Sequence, residues 1–372
     1  MNRDERMKLM LIIGARPQII KSAPIIHEAQ KRKEIVFQLV HTGQHYDFEM
    51  SKIFFGELDL PDPVVNLGVG SGTHAFQTGK MMIELEKTIE NLKPDMVMVP
   101  GDTNSTLAGA LTAVKLQVPV SHVEAGARSY DMRMPEEVNR RLTDHCSTLL
   151  FASTRNCVEK LREEGIEKQQ IKLSGDTMYD ALLEHIGRSE KTGILKKMNL
   201  QSEEYAVLTL HRPENVDIPE RLERIFKALA SLRNLLIVFP VHPRTRQRLE
   251  SLKIMQQKAA VEHTKLVEPL GYHEMLQLTK HAKMIFTDSG GLQKEAFWLH
   301  TPCITLRDTT EWTETIALGA NVLVGSNPQK IIRAAEKIMK TKKGKARLQK
   351  LKNPFGDGHA SKKILDFILK RG

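Results

Sequence analysis

The chain has 372 residues, of which 41% are hydrophobic and 27% are charged, a composition typical of a globular protein long enough for two domains. The formal net charge of +10 admits nucleic acid, an acidic membrane surface or a small anionic substrate, but no fold signature of a nucleic-acid binder accompanies it. Three scattered cysteines argue against disulfides or zinc and favour a cytoplasmic location, and no apolar run is long enough for a signal sequence or a membrane span.

In the first half of the chain, short apolar runs alternate with amphipathic segments. The runs are continuous in Val, Ile and Leu, which predicts strands that are buried on both faces of a parallel sheet. They cover residues 8–14, 35–43, 94–102, 118–126 and 148–154. The segments between them predict helices, from their apolar spacing or from a proline at the helix start, over residues 16–31, 73–93, 103–116 and 135–146.

The second half repeats this alternation. Strands are predicted over residues 204–212, 234–243, 264–269, 282–290 and 301–308, with helical stretches between them. A last helix is predicted within residues 356–372, after a glycine-rich break. Because strands that alternate with helices indicate βαβ units, we predict an α/β protein with two doubly wound domains that divide in the polar stretch 188–204.

Ligands of open α/β sheets bind beyond the carboxyl ends of the strands, and in the first half of this chain those positions carry charged residues. Arg16 and Lys21 follow the first strand and are either a surface pair or ligands of a phosphate or carboxylate. Asp102 ends another strand, where it either caps a helix or acts on a substrate. Glu124 interrupts a buried-looking strand, where an unpaired carboxylate is costly. Glu136 lies in the first turn of a helix, where the helix dipole favours a carboxylate in any case.

The stretch "TDSGGLQKEA" joins a strand to a helix near the end of the chain. Ser289 can cap the helix, while Gly290 and Gly291 allow the free backbone amides to approach an anion closely. The turn is therefore either structural or a phosphate site. Glu295, further along the helix, is either a solvated side chain or an acceptor for the hydroxyls of a ribose.

Two other strand ends in the second half carry histidines. "LHRPEN" places His211 and Arg212 together, and the adjacent arginine argues against an apolar setting for the histidine. "VHPRT" places His242 in a similar position, where it is either a structural residue or a ligand-binding one. The motifs HExxH, GxSxG, GxxxxGK[ST] and GxGxxG are missing from the required places. This excludes most metalloproteases, α/β hydrolases, P-loop NTPases and standard dinucleotide enzymes.

Taken in order along nearly the whole chain, ten stretches resemble the non-hydrolysing UDP-N-acetylglucosamine 2-epimerases, and the archaeal members in particular. Each stretch alone is a weak signal, but the ordered set is very specific. The matching stretches are "GARPQIIKSAPI", "TGQHYD", "PGDTNSTLAGALTA", "HVEAGARS", "MPEEVNRRLTDH", "GDTMYDAL", "LTLHRPENV", "VHPRT", "DSGGLQKEA" and "RDTTEWTET".

The resemblance implies a glycosyltransferase-B type fold, in which two Rossmann-like domains face a central cleft. Residues 1–187, joined by a C-terminal helix within 355–372, would form the domain with the sugar-directed carboxylates, and residues 188–354 the UDP-binding domain. The implied reaction is the reversible epimerisation of UDP-N-acetylglucosamine (UDP-GlcNAc) to UDP-N-acetylmannosamine (UDP-ManNAc). It runs by elimination and re-addition of UDP through bound 2-acetamidoglucal, in a cytoplasmic homodimer without cofactor or metal. The product would supply ManNAc-type sugars for surface polysaccharide or glycan synthesis.

The matching motifs also imply roles for individual residues. The catalytic candidates are Lys21, Asp102, Glu124, Glu136 and His211, and the UDP-binding candidates are Arg16, Arg212, His242, Ser289, Gly290, Gly291 and Glu295. Because the proton at carbon 2 is not acidic, UDP must depart ahead of its removal, and cations and amide donors around the leaving group would supply most of the stabilisation. Four alternatives stay open: a UDP-sugar transferase of the same fold, a hydrolysing epimerase that releases ManNAc, a catalytically silent nucleotide-sugar sensor and, on the net charge alone, a nucleic-acid binder.

Overall fold

A computed structural model describes residues 6–44, 48–254, 262–341 and 344–370, so the end of the "TGQHYD" stretch, residues 45–47, lies outside the described part. The chain forms two compact units. Met1–Glu184 together with Asn353–Gly372 form the first unit, and His185–Lys352 form the second. Within the described residues, no helix is both long enough and apolar enough to cross a membrane.

The first unit is built on a parallel sheet of seven strands. The strands are β1 (Met7–Ile13), β2 (Ile35–His41), β3 (Val65–Asn66), β4 (Met96–Pro100), β5 (Val120–Ala125), β6 (Leu149–Ala152) and β7 (Ile171–Leu173). Their order in the sheet is β3-β2-β1-β4-β5-β6-β7, and each neighbouring pair runs parallel. All residues of β4 and β5 are buried, as the continuous apolar runs predicted. The strand order reverses between β1 and β4, which marks the topological switch point of this sheet.

Helices connect these strands, and one helix returns from the end of the chain. The connecting helices are α1 (Arg16–Gln30), α2 (Phe48–Glu57), α3 (His74–Leu92), α4 (Asn104–Lys115), α5 (Pro135–Cys146), α6 (Arg155–Glu163) and α7 (Thr177–Ser189). The C-terminal helix, Ala360–Leu369, packs against α1. Its first turn is held by Asp180, whose carboxylate accepts from the backbone amides of Ala360 at 3.1 Å and Ser361 at 2.8 Å. These bonds satisfy amides that the helix itself leaves unpaired.

The second unit contains a parallel sheet of six strands. They are β8 (Tyr205–Thr209), β9 (Leu236–Pro240), β10 (Thr264–Val267), β11 (Met284–Thr287), β12 (Cys303–Thr305) and β13 (Asn321–Leu323). The order is β10-β9-β8-β11-β12-β13, so this sheet has its switch point between β8 and β11. The helices are α8 (Ile194–Lys197), α9 (Pro213–Val216), α10 (Pro219–Ala230), α11 (Pro243–Ser251), α12 (Tyr272–His281), α13 (Gly290–Trp298), α14 (Thr313–Ala317), α15 (Pro328–Lys340) and α16 (Gly344–Leu348).

The α/β class with two parallel sheets is confirmed, and each predicted strand and helix is present. The predicted strands run past the observed ends. For example, β8 ends at Thr209, whereas the predicted strand extends to Arg212. The buried Leu210 extends the apolar pattern, although the chain has already left the sheet. The short strands β3, β7 and β13 were not predicted, because two or three residues carry no readable period.

Candidate active site

A buried ion pair lies at the carboxyl end of the first sheet. Lys21, on α1, is 8% exposed, and its Nζ atom is 2.5 Å from Oε1 of Glu124 at the end of β5. The same ammonium adjoins the loop after β4, since a Cβ atom built on Gly101 would stand 3.2 Å from Lys21 Nζ. The surface-pair alternative is therefore wrong for Lys21. A buried ammonium requires a partner of this kind, because an unpaired charge is costly to remove from water.

The backbone of Glu124 is strained. Its φ is +73°, in the left-handed region that glycine favours, and the register between β5 and β6 shifts between Val123 and Ala125. A non-glycine residue in this conformation costs about 1–2 kcal/mol. The side chain is also buried and charged, at 7% exposure. Strain of this size persists where the surroundings enforce it, and it is frequent at functional sites.

Asp102, which follows β4, is held by an arginine. Its Oδ2 atom lies 2.6 Å from Nη2 of Arg140 on α5, and Asn139 donates to its backbone carbonyl at 2.9 Å. The helix-cap alternative for Asp102 is wrong, because Thr103 is the N-cap of α4 and its side chain accepts from the backbone amide of Thr106. The carboxylate is partly exposed and is oriented by the guanidinium.

Glu137 holds the other side of the same guanidinium, where Arg140 Nη1 lies 3.0 Å from its Oε2 atom. The Glu137 carboxylate is completely buried and accepts from the backbone amides of Ser129 and Tyr130 at 2.8 Å and 3.1 Å. Burial alone would raise the pKa of Glu137, but the Ser129 amide and Arg140 hold it below its usual value. Glu137 is thus a structural anchor. The half-buried Glu136 beside it lies in the first turn of α5, as predicted.

Arg16 begins α1 and is exposed, with its guanidinium carbon 5.3 Å from the ring centroid of Phe54. The backbone amides just before it are already bonded inside the unit. Those of Gly14 and Ala15 donate to Oε1 of the buried Gln18 at 2.9 Å and 3.2 Å. The positive group that this helix start presents to solvent is therefore the Arg16 side chain.

In the second unit, Asp288 organises the residues at the switch point. It follows β11, is completely buried, and accepts from the backbone amides of His211 at 3.1 Å and Arg212 at 3.0 Å. Its Oδ1 atom also lies 3.0 Å from Nδ1 of His211, whose side chain is half-exposed. Arg212 Nε donates to the Asp288 carbonyl at 3.1 Å. Burial alone would raise the pKa of Asp288, but His211 and the two amides hold it below its usual value.

The start of α13 carries the predicted serine cap. Ser289 is the N-cap, and its Oγ atom accepts from the backbone amide of Leu292 at 3.4 Å. A Cβ atom on Gly290 would stand 2.3 Å from Oε1 of Glu311, so a larger residue would require the Glu311 side chain to shift. Arg307, also buried, pairs with the other oxygen of Glu311 at 2.9 Å. A carboxylate–guanidinium pair therefore lies beside the helix start, where the dipole favours negative charge.

The remaining candidates also belong to the second unit, where two lie on α13 and one follows β9. Gly291 is the second residue of α13, and Glu295 lies on the same helix at 8% exposure, so the solvated alternative for Glu295 is wrong. His242 follows β9, which neighbours β8, and is the exposed N-cap of α11. Its Nδ1 atom accepts from the backbone amide of Arg244 at 3.3 Å.

The geometry brings three of the candidates together in each unit. Lys21, Glu124 and Asp102 lie around the loop after β4, and His211, Arg212 and Ser289 adjoin Asp288. Their catalytic and binding roles stay predictions. Across the described ranges, no group of three or more His, Cys, Asp or Glu side chains could hold a metal ion. The sequence reasoning missed the partners that hold the candidates, namely Glu137, Arg140, Asp288, Arg307 and Glu311.

Comparison with known proteins gives the same family for nearly the whole chain. The family model described as UDP-N-acetylglucosamine 2-epimerase matches residues 27–369. A UDP-N-acetylglucosamine 2-epimerase from Methanocaldococcus jannaschii is 48% identical, over 97% of this chain and 99% of its own. The crystal structure of M. jannaschii UDP-GlcNAc 2-epimerase in complex with UDP-GlcNAc and UDP has a TM-score of 0.91 and 48% identity, and the match covers 98% of this chain and 100% of that one. A UDP-2,3-diacetamido-2,3-dideoxy-D-glucuronate 2-epimerase from Pseudomonas aeruginosa is 45% identical, over 98% of this chain and 100% of its own.

Proposed function

The chain belongs to the UDP-N-acetylglucosamine 2-epimerase family, and from this premise we propose that it is an isomerase that interconverts UDP-GlcNAc and UDP-ManNAc. The M. jannaschii relative, which is named UDP-N-acetylglucosamine 2-epimerase and is 48% identical over almost the full length, supports the assignment. The observation that carries it is the group of Lys21, Glu124 and Asp102 at the carboxyl ends of adjacent strands. A transferase that only moves a sugar has no need of this carboxylate set.

The proposed reaction begins with departure of UDP. The bond between carbon 1 and the phosphate oxygen breaks, positive charge builds on the sugar, and a base then removes the proton from carbon 2 to give 2-acetamidoglucal. Re-addition of UDP to carbon 1, with a proton delivered to the opposite face of carbon 2, completes the epimerisation. Because protons are exchanged on both faces of carbon 2, more than one acid or base is needed, and we assign the proton transfers to Asp102, Glu124 and Glu136 as a group. The ammonium of Lys21 holds the Glu124 side chain in place.

The second unit supplies the groups proposed to bind UDP and stabilise its departure. His211 and Arg212, fixed by Asp288, and the amide end of α13 at Ser289–Gly291 act on the diphosphate. Glu295 accepts from the ribose hydroxyls. His242 and, from the first unit, Arg16 add contacts to the nucleotide. The cationic and amide donors are expected to matter most as negative charge develops on the leaving phosphate.

One proton NMR time course tests the function. The protein is incubated with UDP-GlcNAc in heavy water, before and after treatment with EDTA. We expect UDP-ManNAc in both samples, with deuterium incorporated at carbon 2. Release of free ManNAc would indicate a hydrolysing epimerase instead. If UDP-GlcNAc stays unchanged by itself and is consumed only when a sugar acceptor is added, the protein is a transferase. Loss of activity with EDTA would contradict a metal-free reaction.

Carboxylate variants test the catalytic assignment. Asp102→Asn, Glu124→Gln and Glu136→Gln are each expected to lower kcat by at least about 100-fold while the protein still folds, because each removes a group that exchanges or stabilises charge in the reaction. Glu90→Gln, at an exposed position of α3, is the matched control and is expected to keep full activity. Near-normal turnover in all three site variants would refute the assignment.

Calorimetric titration with UDP tests the binding assignment. Arg16→Ala, Ser289→Ala and Glu295→Ala are expected to raise the Kd for UDP by about tenfold each, which corresponds to a lost charged or polar contact of about 1.4 kcal/mol. Arg333→Ala, which removes an exposed cation from α15, is the control for net charge. An unchanged Kd in the three site variants contradicts their role.

A modified sugar is the second candidate substrate. The P. aeruginosa relative at 45% identity is named for a UDP-diacetamido-glucuronate, so a close relative works on a sugar that carries a carboxylate. Parallel kcat/KM measurements on UDP-GlcNAc and on that sugar nucleotide decide between the two, and we expect the higher value for UDP-GlcNAc. We further propose a homodimer, to be checked by light scattering. The cytoplasmic location and the supply of ManNAc-type sugars stay predictions.

A further inference from the structure

A completely buried histidine touches the loop that carries Asp102. His122, on β5, has no exposed side-chain area, and its Nε2 atom lies 2.7 Å from the carbonyl oxygen of Gly101. Its Nδ1 atom lies 2.6 Å from Oδ1 of Asp144 on α5. A carbonyl oxygen only accepts, so Nε2 is the donor in the contact with Gly101, and the Asp144 carboxylate is the acceptor in the contact with Nδ1.

Asp144 is itself firmly held. Its Oδ2 atom accepts from the backbone amide of Gly126 at 3.1 Å and lies 2.7 Å from Nη1 of Arg128. Arg128 in turn forms a two-point contact with Glu164, at 2.8 Å and 2.7 Å. Burial alone would raise the pKa of Asp144, but His122 and Arg128 hold it below its usual value.

These bonds reach the loop that carries Asp102 and the loop that directly follows Glu124 and β5. Gly101, with a φ of +72°, directly precedes Asp102, and Gly126, with a φ of +79°, follows Glu124 by two residues. Both glycines have left-handed backbones beyond the last residues of β4 and β5, and the amide of Gly101 donates to the Val123 carbonyl of β5 at 2.9 Å, while its carbonyl is held by His122. The carboxylate of Asp144 bonds one loop directly and the other through His122.

We propose that Asp144 and His122 are positioning residues, which brace the loops of Asp102 and Glu124 in the geometry that the epimerisation requires. The proposal rests on the proposed function. His122 has no exposed area, so it acts through the Gly101 carbonyl rather than on the sugar itself. A catalytic group that is misplaced by about 1 Å can lose about 100-fold in rate, so a bond that fixes the loop has kinetic consequences.

Two amide substitutions of His122 separate its two bonds. In His122→Gln the amide nitrogen reaches the position of Nε2 and can donate to Gly101, whereas in His122→Asn it reaches the position of Nδ1 and can donate to Asp144. Both variants remove the imidazole ring and introduce the same chemical group. We expect His122→Asn to lower kcat about 100-fold and His122→Gln to retain within about tenfold of the wild-type kcat. KM and the Kd for UDP should change less than about threefold in both, since the groups proposed to hold most of the nucleotide lie in the second unit.

The measurements are kcat, KM, the Kd for UDP and the thermal unfolding midpoint of each purified variant. Equal kcat values in the two variants, or kcat losses that follow the loss of folded protein alone, would overturn the proposal. If the His122 variants do not fold, Asp144→Asn is the test, because its amide oxygen can still accept from Gly126. It is expected to lower kcat at an unchanged Kd for UDP, and wild-type kcat would overturn the proposal. A wild-type protein without epimerase activity would instead refute the proposed function.

Discussion

At Glu124, whose backbone is left-handed, glycine should give a more stable protein than alanine, which is the reverse of the usual order. At an ordinary position, alanine is more stabilising than glycine by about 0.5–1 kcal/mol, because glycine loses more conformational freedom on folding. At a φ of +73° the order should reverse, because a Cβ atom costs about 1–2 kcal/mol there. We therefore expect Glu124→Gly to be more stable than Glu124→Ala by about 0.5–1 kcal/mol.

The comparison is made in a Lys21→Met background, so that neither variant leaves a buried ammonium without its carboxylate. Urea and thermal unfolding are followed by far-ultraviolet circular dichroism, because both tryptophans, Trp298 and Trp312, lie in the second unit and do not report directly on the first. For a unit of this size, 1 kcal/mol corresponds to a shift of about 2–4 °C in Tm. Neither variant is expected to retain epimerase activity.

The matched control is Glu86, an exposed glutamate in the interior of α3. There, Glu86→Ala should be more stable than Glu86→Gly by about 1 kcal/mol, as in ordinary helices. The two sites thus differ by about 1.5–2 kcal/mol, with opposite signs. If the glycine variant is the less stable one at both sites, the backbone of Glu124 is not strained and the reasoning fails.

Three other predictions concern packing, pH and thiol reactivity. Gly14→Ala should destabilise by about 1–3 kcal/mol, since its Cβ atom would stand 2.0 Å and 2.2 Å from two buried hydroxyl oxygens. Gly187→Ala, in an open helix position, should stabilise by up to about 1 kcal/mol. If both variants have the Tm of the wild type, both predictions are contradicted. The pKa of Asp288 is lower in the folded protein than in the unfolded one, so its carboxylate contributes fully to the free energy of unfolding above the unfolded pKa of about 4. This contribution is lost as the pH falls through the pKa of the folded state. Asp288→Asn should therefore lose less unfolding free energy than the wild type between pH 6 and pH 3, and an equal loss would refute this. Burial raises the pKa of Cys303 to about 12, so a thiol reagent at pH 8 should modify the more exposed Cys146 first, and prompt labelling of Cys303, seen by mass spectrometry, would contradict this order.

The fold was largely predictable because most buried strands are continuous apolar runs and the connecting segments have a helical period or a proline at the helix start. The predicted strand at 94–102, for example, corresponds to β4, all of whose residues are buried. Errors arose where the local pattern carries no information. The two-residue β3 has no period, and its place in the sheet is fixed by pairing with Val40 and His41 of β2. Such pairing is a property of the folded chain rather than of the segment.

Two candidates of the second unit have helix-capping roles that depend only on nearby residues. Ser289 caps α13 and His242 caps α11, and a cap depends on residues only two or three positions away. In the first unit, by contrast, Lys21 pairs with a residue 103 positions further along, and Asp102 with one 38 positions further along. No local pattern encodes partners at such separations, which is why the surface and cap alternatives could not be rejected before the fold was known.

The helix caps of the second unit and the ion-paired carboxylates of the first unit should respond differently to mutation. The caps in the second unit are local, so a substitution there removes about 1 kcal/mol and leaves the neighbouring contacts in place. The carboxylates of the first unit belong to a connected set in which Arg140 joins Asp102 to Glu137, and Glu137 holds the backbone at Ser129. At the neighbouring pair, removing Glu124 leaves the buried Lys21 ammonium without this carboxylate, which costs several kcal/mol. Amide substitutions keep the shape and an accepting oxygen of each carboxylate, so they disturb the first unit less than alanine does, whereas alanine suffices at the local caps of the second unit.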